Sequence, residues 1–204
     1  MQIRDPVSNW LFVNLANLIT TSRLIFSVWL VLLAIFSDQL FLMFILVALC
    51  GIADWADGWA ARRYNITSQF GAFLDRMADK IFICPTMVIL VWKYWPSVEV
   101  SSALKFLTEG LVVVVILLEI TLTISGVFAL IKNLDTSSNK WGKVKMVFQS
   151  AAVFSWFLCL VIEYYLKIKI IYLVIFLIDA ILIAAIGLAV KSIEGYWQRY
   201  QKID

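Results

Sequence analysis

Histidine is missing from this chain of 204 residues. Its absence removes imidazole general bases, Ser-His-Asp triads and histidine metal sites together. Cysteine is scarce: Cys50, Cys84 and Cys159 lie far apart, each inside an apolar run. That pattern excludes a disulfide framework and a zinc site, and leaves three small hydrophobes. Excess charge is also lacking. A net charge of +3 is too small to mark a nucleic-acid binder. There is no internal repeat and no low-complexity segment. The polar, mixed N-terminal stretch MQIRDPVSNW does not read as a cleavable leader.

What the chain does have is apolar surface. Hydrophobic residues make up 63% of it, and the mean hydropathy is +0.92. A soluble domain of this size could not keep its exterior polar with such a composition, so an all-α integral membrane protein is expected. A helix needs about 20 residues to cross the hydrocarbon core. Six runs meet that need: Leu18–Phe36, Leu40–Ala61, Phe70–Trp92, Leu104–Ile131, Val144–Tyr165 and Ile168–Val190. The expected organisation is one membrane domain over 1–204. It comprises a segment 1–13, either a short N-terminal interfacial helix or a frayed terminus, then a core of six transmembrane helices over 14–190, and a cytoplasmic tail over 191–204.

Basic residues in short loops set the orientation. Arg4, Arg62, Arg63, Lys132, Lys140, Lys143, Lys145, Lys191, Arg199 and Lys202 all fall on one side of a six-span chain. Both termini are therefore expected in the cytoplasm, in a multi-pass protein of the cell's inner (cytoplasmic) membrane. Trp92, Tyr94, Trp95, Tyr164 and Tyr165 read as interfacial belts.

Against this background, four aspartates stand out: Asp54, Asp57, Asp75 and Asp79. The first two are spaced i, i+3 and the second two i, i+4, so each pair shares a helix face. A carboxylate in a span costs several kcal/mol unless it is paired, hydrated or metal-bound. The sequence offers no evident positive counterpart, so two divalent cations are expected. All-oxygen ligands favour Mg²⁺ or Mn²⁺. Two such ions can bridge a diphosphate and stabilise charge on a leaving group. Gly58, Ala61 and Gly71 would let a ligand approach the helix backbones, and Arg62 offers a forked guanidinium to phosphate oxygens. Asp79 is the expected general base, since it sits deepest on its helix.

The run Asp54-x2-Asp57-Gly58-x2-Ala61-Arg62-x8-Gly71-x3-Asp75-x3-Asp79 resembles the signature of the CDP-alcohol phosphotransferases, with every specified residue and gap in place. The resemblance implies a six-helix membrane enzyme that forms a homodimer. It implies transfer of a phosphatidyl group from a CDP-linked lipid donor to a polar alcohol acceptor, with release of CMP. By position, Asp54, Asp57, Asp75 and Asp79 would hold the metals, with Asp79 also activating the acceptor hydroxyl. Gly58, Ala61, Arg62 and Gly71 would shape the CDP pocket, with Thr67 or Ser68 bonding the nucleotide.

Two more stretches resemble the phosphatidylglycerophosphate synthase branch: Asn17-Leu18-Ile19-Thr20-x2-Arg23, and Trp141-Gly142-Lys143-Val144-Lys145-x3-Gln149. They imply glycerol 3-phosphate as acceptor, its phosphate met by Lys143 and Lys145. Met146 stands where that pattern has threonine, and Leu118, before Glu119, where it has arginine. Arg76 is a candidate replacement cation. Inositol phosphate and lysophospholipid-like acceptors stay open, as do membrane anchoring by the lysines and a different class of function, a divalent-cation carrier or channel. For Glu119 and Asp179, polar packing between helices competes with a functional role.

Overall fold

The computed structural model describes residues 6–64, 69–98, 100–131, 140–168 and 170–200. Six α-helices follow one another: α1 (Pro6–Phe36), α2 (Leu40–Tyr64), α3 (Gln69–Ile89), α4 (Ser102–Ile131), α5 (Lys140–Val161) and α6 (Ile171–Tyr200). No strand occurs among the described residues. The six expected runs are the six helices, and the chain is an all-α membrane protein. By length and composition, Ser102–Phe128, Lys140–Leu166 and Ile171–Gly195 can each cross a bilayer, while Thr21–Phe36 and Leu40–Asp54 are shorter apolar stretches.

Helix boundaries differ from the sequence expectation at both ends. Pro6–Val13 is not a separate helix but the opening of α1. Pro6 sits at the first helical position, where its missing N–H is no loss and its fixed φ suits the helix. At the other end, α6 runs past Val190 to Tyr200.

The chain divides into two compact units at Pro85/Thr86. In the first, α1 packs on α2. Among the described residues, the buried positions on α1 are Arg23, Ser27, Leu30 and Ala34, and those on α2 are Leu40, Met43, Leu46, Val47 and Cys50. Both sets follow the three-and-four spacing of a single helix face. The connecting turn at Ser37–Gln39 is held by the Gln39 amide, which donates to Ser37 Oγ at 3.2 Å.

In the second unit, α6 packs on both α4 and α5. Thr108, Val112, Val115, Glu119 and Leu122 form the buried stripe of α4, and Ile171, Ile175, Ile178, Leu182, Ala185 and Ala189 that of α6. Ser101 caps the start of α4, its Oγ accepting from the Leu104 amide at 3.4 Å. A π-helical turn, Ile162–Leu166, ends the α5 run, and Lys167 follows in the left-handed region at φ 57°.

Polarity is inverted relative to a soluble protein. Arg23, Glu119, Lys145, Gln149 and Asp179 are buried, while Phe36 is 81% and Phe106 79% exposed. Lipid is as apolar as leucine, so polar groups turn inward to find partners and apolar ones face out. Not every aromatic follows the interfacial expectation. Trp92 faces outward, but Tyr94 and Trp95 are buried, and Trp95 meets Trp156 edge-on at 5.2 Å between ring centroids.

Candidate functional site

The inward stripes of α1 and α2 lead to the first pair of charged groups. Ser27 Oγ and Cys50 Sγ meet at 3.7 Å. One turn earlier on α1 stands Arg23, and one turn later on α2 stands Asp54. The two helices form a hairpin, so these steps run the same way and bring Arg23 to Asp54. The Arg23 Nη1 hydrogen bonds to Asp54 Oδ1, and Nη2 lies 3.2 Å from Asp79 Oδ1 on α3. The Ser27 hydroxyl donates to the Arg23 carbonyl at 2.8 Å, fixing the turn that carries the arginine.

Exposure grades across this trio. The Arg23 side chain is 3% exposed, Asp79 20% and Asp54 55%. A buried guanidinium thus reaches two progressively more exposed carboxylates. A guanidinium keeps its proton at any working pH, so Arg23 stays charged. This corrects the expectation that the chain offers the acids no positive counterpart: α1 supplies one. Sequence spacing missed the pairing because Arg23 and Asp54 lie 31 residues apart. The available signal was Arg23 itself, an arginine inside an apolar run, which demands a carboxylate partner.

The rest of the quartet and its neighbours are placed only by backbone. Asp57, Gly58, Ala61 and Arg62 belong to α2, and Gly71, Asp75 and Arg76 to α3. Their side chains, and Thr67 and Ser68 entirely, lie outside the described residues. Among the described residues no three His, Cys, Asp or Glu gather into a metal-sized group. Two carboxylates from different helices, Asp54 and Asp79, turn oxygens toward the Arg23 guanidinium. All-oxygen donors of this kind suit a hard ion.

The second unit holds its own charged cluster. Lys145 Nζ on α5 pairs with Glu119 Oε1 on α4, and Gln149 Nε2 donates to the same oxygen at 2.9 Å. Lys145 and Glu119 are both buried. Lys143, two positions back, is exposed. The two lysines, alike in sequence, therefore differ: one neutralises a buried acid, and the other presents its charge outward. Asp179 on α6 accepts from the Thr108 hydroxyl at 2.9 Å. Glu119 and Asp179 both make polar contacts between helices. On the rim, Lys191 Nζ lies 4.8 Å from the centre of the Trp141 ring.

The family model described as CDP-alcohol phosphatidyltransferase matches residues 13–191. A protein of Aquifex aeolicus is 28% identical over 142 residues, covering 70% of this chain and 74% of its own. One of Wigglesworthia glossinidia brevipalpis is 36% identical over 76 residues, covering 36% of this chain and 41% of its own. One of Blochmanniella floridana is 42% identical over 59 residues, covering 26% and 30%. The last two alignments span less than half of those relatives. All three relatives are named CDP-diacylglycerol–glycerol-3-phosphate 3-phosphatidyltransferase. The family uses divalent metal. With nearly its whole length matched, and with Asp54 and Asp79 brought together from the two halves of the signature, the chain belongs to the CDP-alcohol phosphatidyltransferase family.

Proposed function

We propose that this protein transfers the phosphatidyl group of CDP-diacylglycerol to glycerol 3-phosphate, giving phosphatidylglycerophosphate and CMP. The shared name of the three relatives supports the substrates. The observation that carries the site is the convergence of Asp54 and Asp79 on one cationic centre. The rival reading as a cation carrier draws no support from the family match.

In this reading Asp54, Asp57, Asp75 and Asp79 hold two Mg²⁺ or Mn²⁺. When bound, such ions neutralise the diphosphate and stabilise the leaving group. The chain's own residues do the rest. Gly58, Ala61 and Gly71 leave room for the cytidine diphosphate, Arg62 takes its phosphate oxygens, and Thr67 or Ser68 bonds the nucleotide. Asp79 accepts the proton of the acceptor hydroxyl. The freed oxygen bonds to the β-phosphorus, and the bond from that phosphorus to the bridging oxygen breaks. CMP departs with the electron pair. Lys143, Lys145 and Arg76 are the cations offered to the acceptor's own phosphate. The burial of Lys145 against Glu119 favours Lys143 over it for direct contact. The enzyme works as a homodimer in the inner membrane, with both termini and the site on the cytoplasmic side.

The test is CMP release by purified protein from CDP-diacylglycerol and Mn²⁺ with a panel of alcohols. Glycerol 3-phosphate should support the fastest release. Faster release with an inositol phosphate would reassign the acceptor, and none with any alcohol would remove the activity.

A further inference from the structure

The guanidinium of Arg23 holds Asp54 Oδ1 and Asp79 Oδ1, one through each terminal nitrogen. Those two acids are also expected to ligate metal. A carboxylate oxygen that donates its lone pairs to an arginine is a weaker ligand for a cation, and two positive centres at hydrogen-bond range repel. Arg23 therefore cannot keep both contacts at full strength while the same oxygens bind a divalent ion. Nor can it retire by losing its proton. Its side chain is 3% exposed, so it has little freedom to swing into water.

We infer that Arg23 is a built-in competitor of the catalytic metal, a positioning residue that keeps Asp54 and Asp79 converged and sets how tightly divalent ions bind there. The inference rests on the metal-binding reading of the aspartates. Two consequences follow from the shared oxygens. Removing the guanidinium takes a competing cation away from both carboxylates, so metal binds more tightly. It also leaves like charges facing one another, so the protein without metal loses stability that metal then restores by binding the folded state. A residue that served only to pack α1 against α2 would produce neither the tighter binding nor the rescue.

The experiment uses the full-length protein in detergent, stripped with chelator. Mn²⁺ binding is followed by the electron paramagnetic resonance of the free ion, and thermal unfolding is followed with and without Mn²⁺. For Arg23→Gln, the dissociation constant should fall about tenfold relative to wild type. The unfolding midpoint should drop without Mn²⁺ and return close to the wild-type value with it. Arg23→Lys keeps one charge but cannot fork between two acids, and its dissociation constant should lie between the other two. That variant decides the matter if Arg23→Gln does not fold without metal. Wild-type binding with equal or weaker binding by both variants would overturn the inference and leave the metal reading standing. Failure of the wild type to bind Mn²⁺ at all would remove both.

Discussion

Lys145 and Glu119 cancel each other's charge inside the second unit, their side chains 5% and 2% exposed. A buried pair of this kind adds little to stability over an apolar pair of similar shape. Breaking it from one side is costly, because the remaining charge is stranded. Glu119→Ala should therefore lower stability by about 3–5 kcal/mol. The double variant Glu119→Leu/Lys145→Met should recover most of the loss. Thermal unfolding in detergent measures both, and a Glu119→Ala midpoint equal to wild type would show that the pair is not formed.

The two lysines of α5 should separate kinetically. Lys143 is exposed and Lys145 is committed to Glu119. Lys143→Ala should raise KM for glycerol 3-phosphate several-fold, about 1 kcal/mol of binding, with an unchanged unfolding midpoint. Lys145→Ala should lower the midpoint. Steady-state kinetics beside unfolding curves read the split, and identical behaviour of the two variants would refute it.

Thr108 gives Asp179 its hydrogen bond at 2.9 Å, and Asp179 Oδ2 has no hydrogen-bond partner among the described residues. Thr108→Val should leave the carboxyl poorly satisfied, at a cost of about 1–3 kcal/mol. Adding Asp179→Leu should regain part of that. An unfolding midpoint for Thr108→Val at the wild-type value would mean the bond is not made.

These pairs mark where the sequence was legible and where it was not. The six helices were readable because bilayer thickness fixes the length of an apolar run. The aspartates stand out in the sequence because their spacing is local to α2 and α3, and the described side chains among them are those of Asp54 and Asp79. Arg23 against Asp54, and Lys145 against Glu119, were not readable. Tertiary ion pairs leave no periodic trace, and a lysine near a helix start looks the same whether it anchors the helix at the interface or neutralises an acid. Trp95 misled for a similar reason: it lies among aromatics at a helix end, yet it packs edge-on against Trp156. The run of α6 to Tyr200 was missed because polar residues after Val190 resemble a tail, although nothing in them breaks a helix.

Asp79 carries the proposed proton transfer. Asp79→Asn keeps the shape and can still meet Arg23 through its carbonyl, but it cannot take a proton. It should reduce kcat by about 100-fold or more, with the unfolding midpoint little changed. Retention of normal turnover would assign the base elsewhere.

The central claim is that the aspartates work by holding divalent ions against a cytidine diphosphate lipid. Its most direct test is CMP release from CDP-diacylglycerol and glycerol 3-phosphate by chelator-stripped protein, before and after Mn²⁺ is returned, for wild type and for Asp54→Asn. Stripped wild type should be silent and recover on adding Mn²⁺, while Asp54→Asn should need far more Mn²⁺ or fail to recover. Full release by the stripped protein, or recovery of Asp54→Asn at the wild-type Mn²⁺ concentration, would contradict the claim.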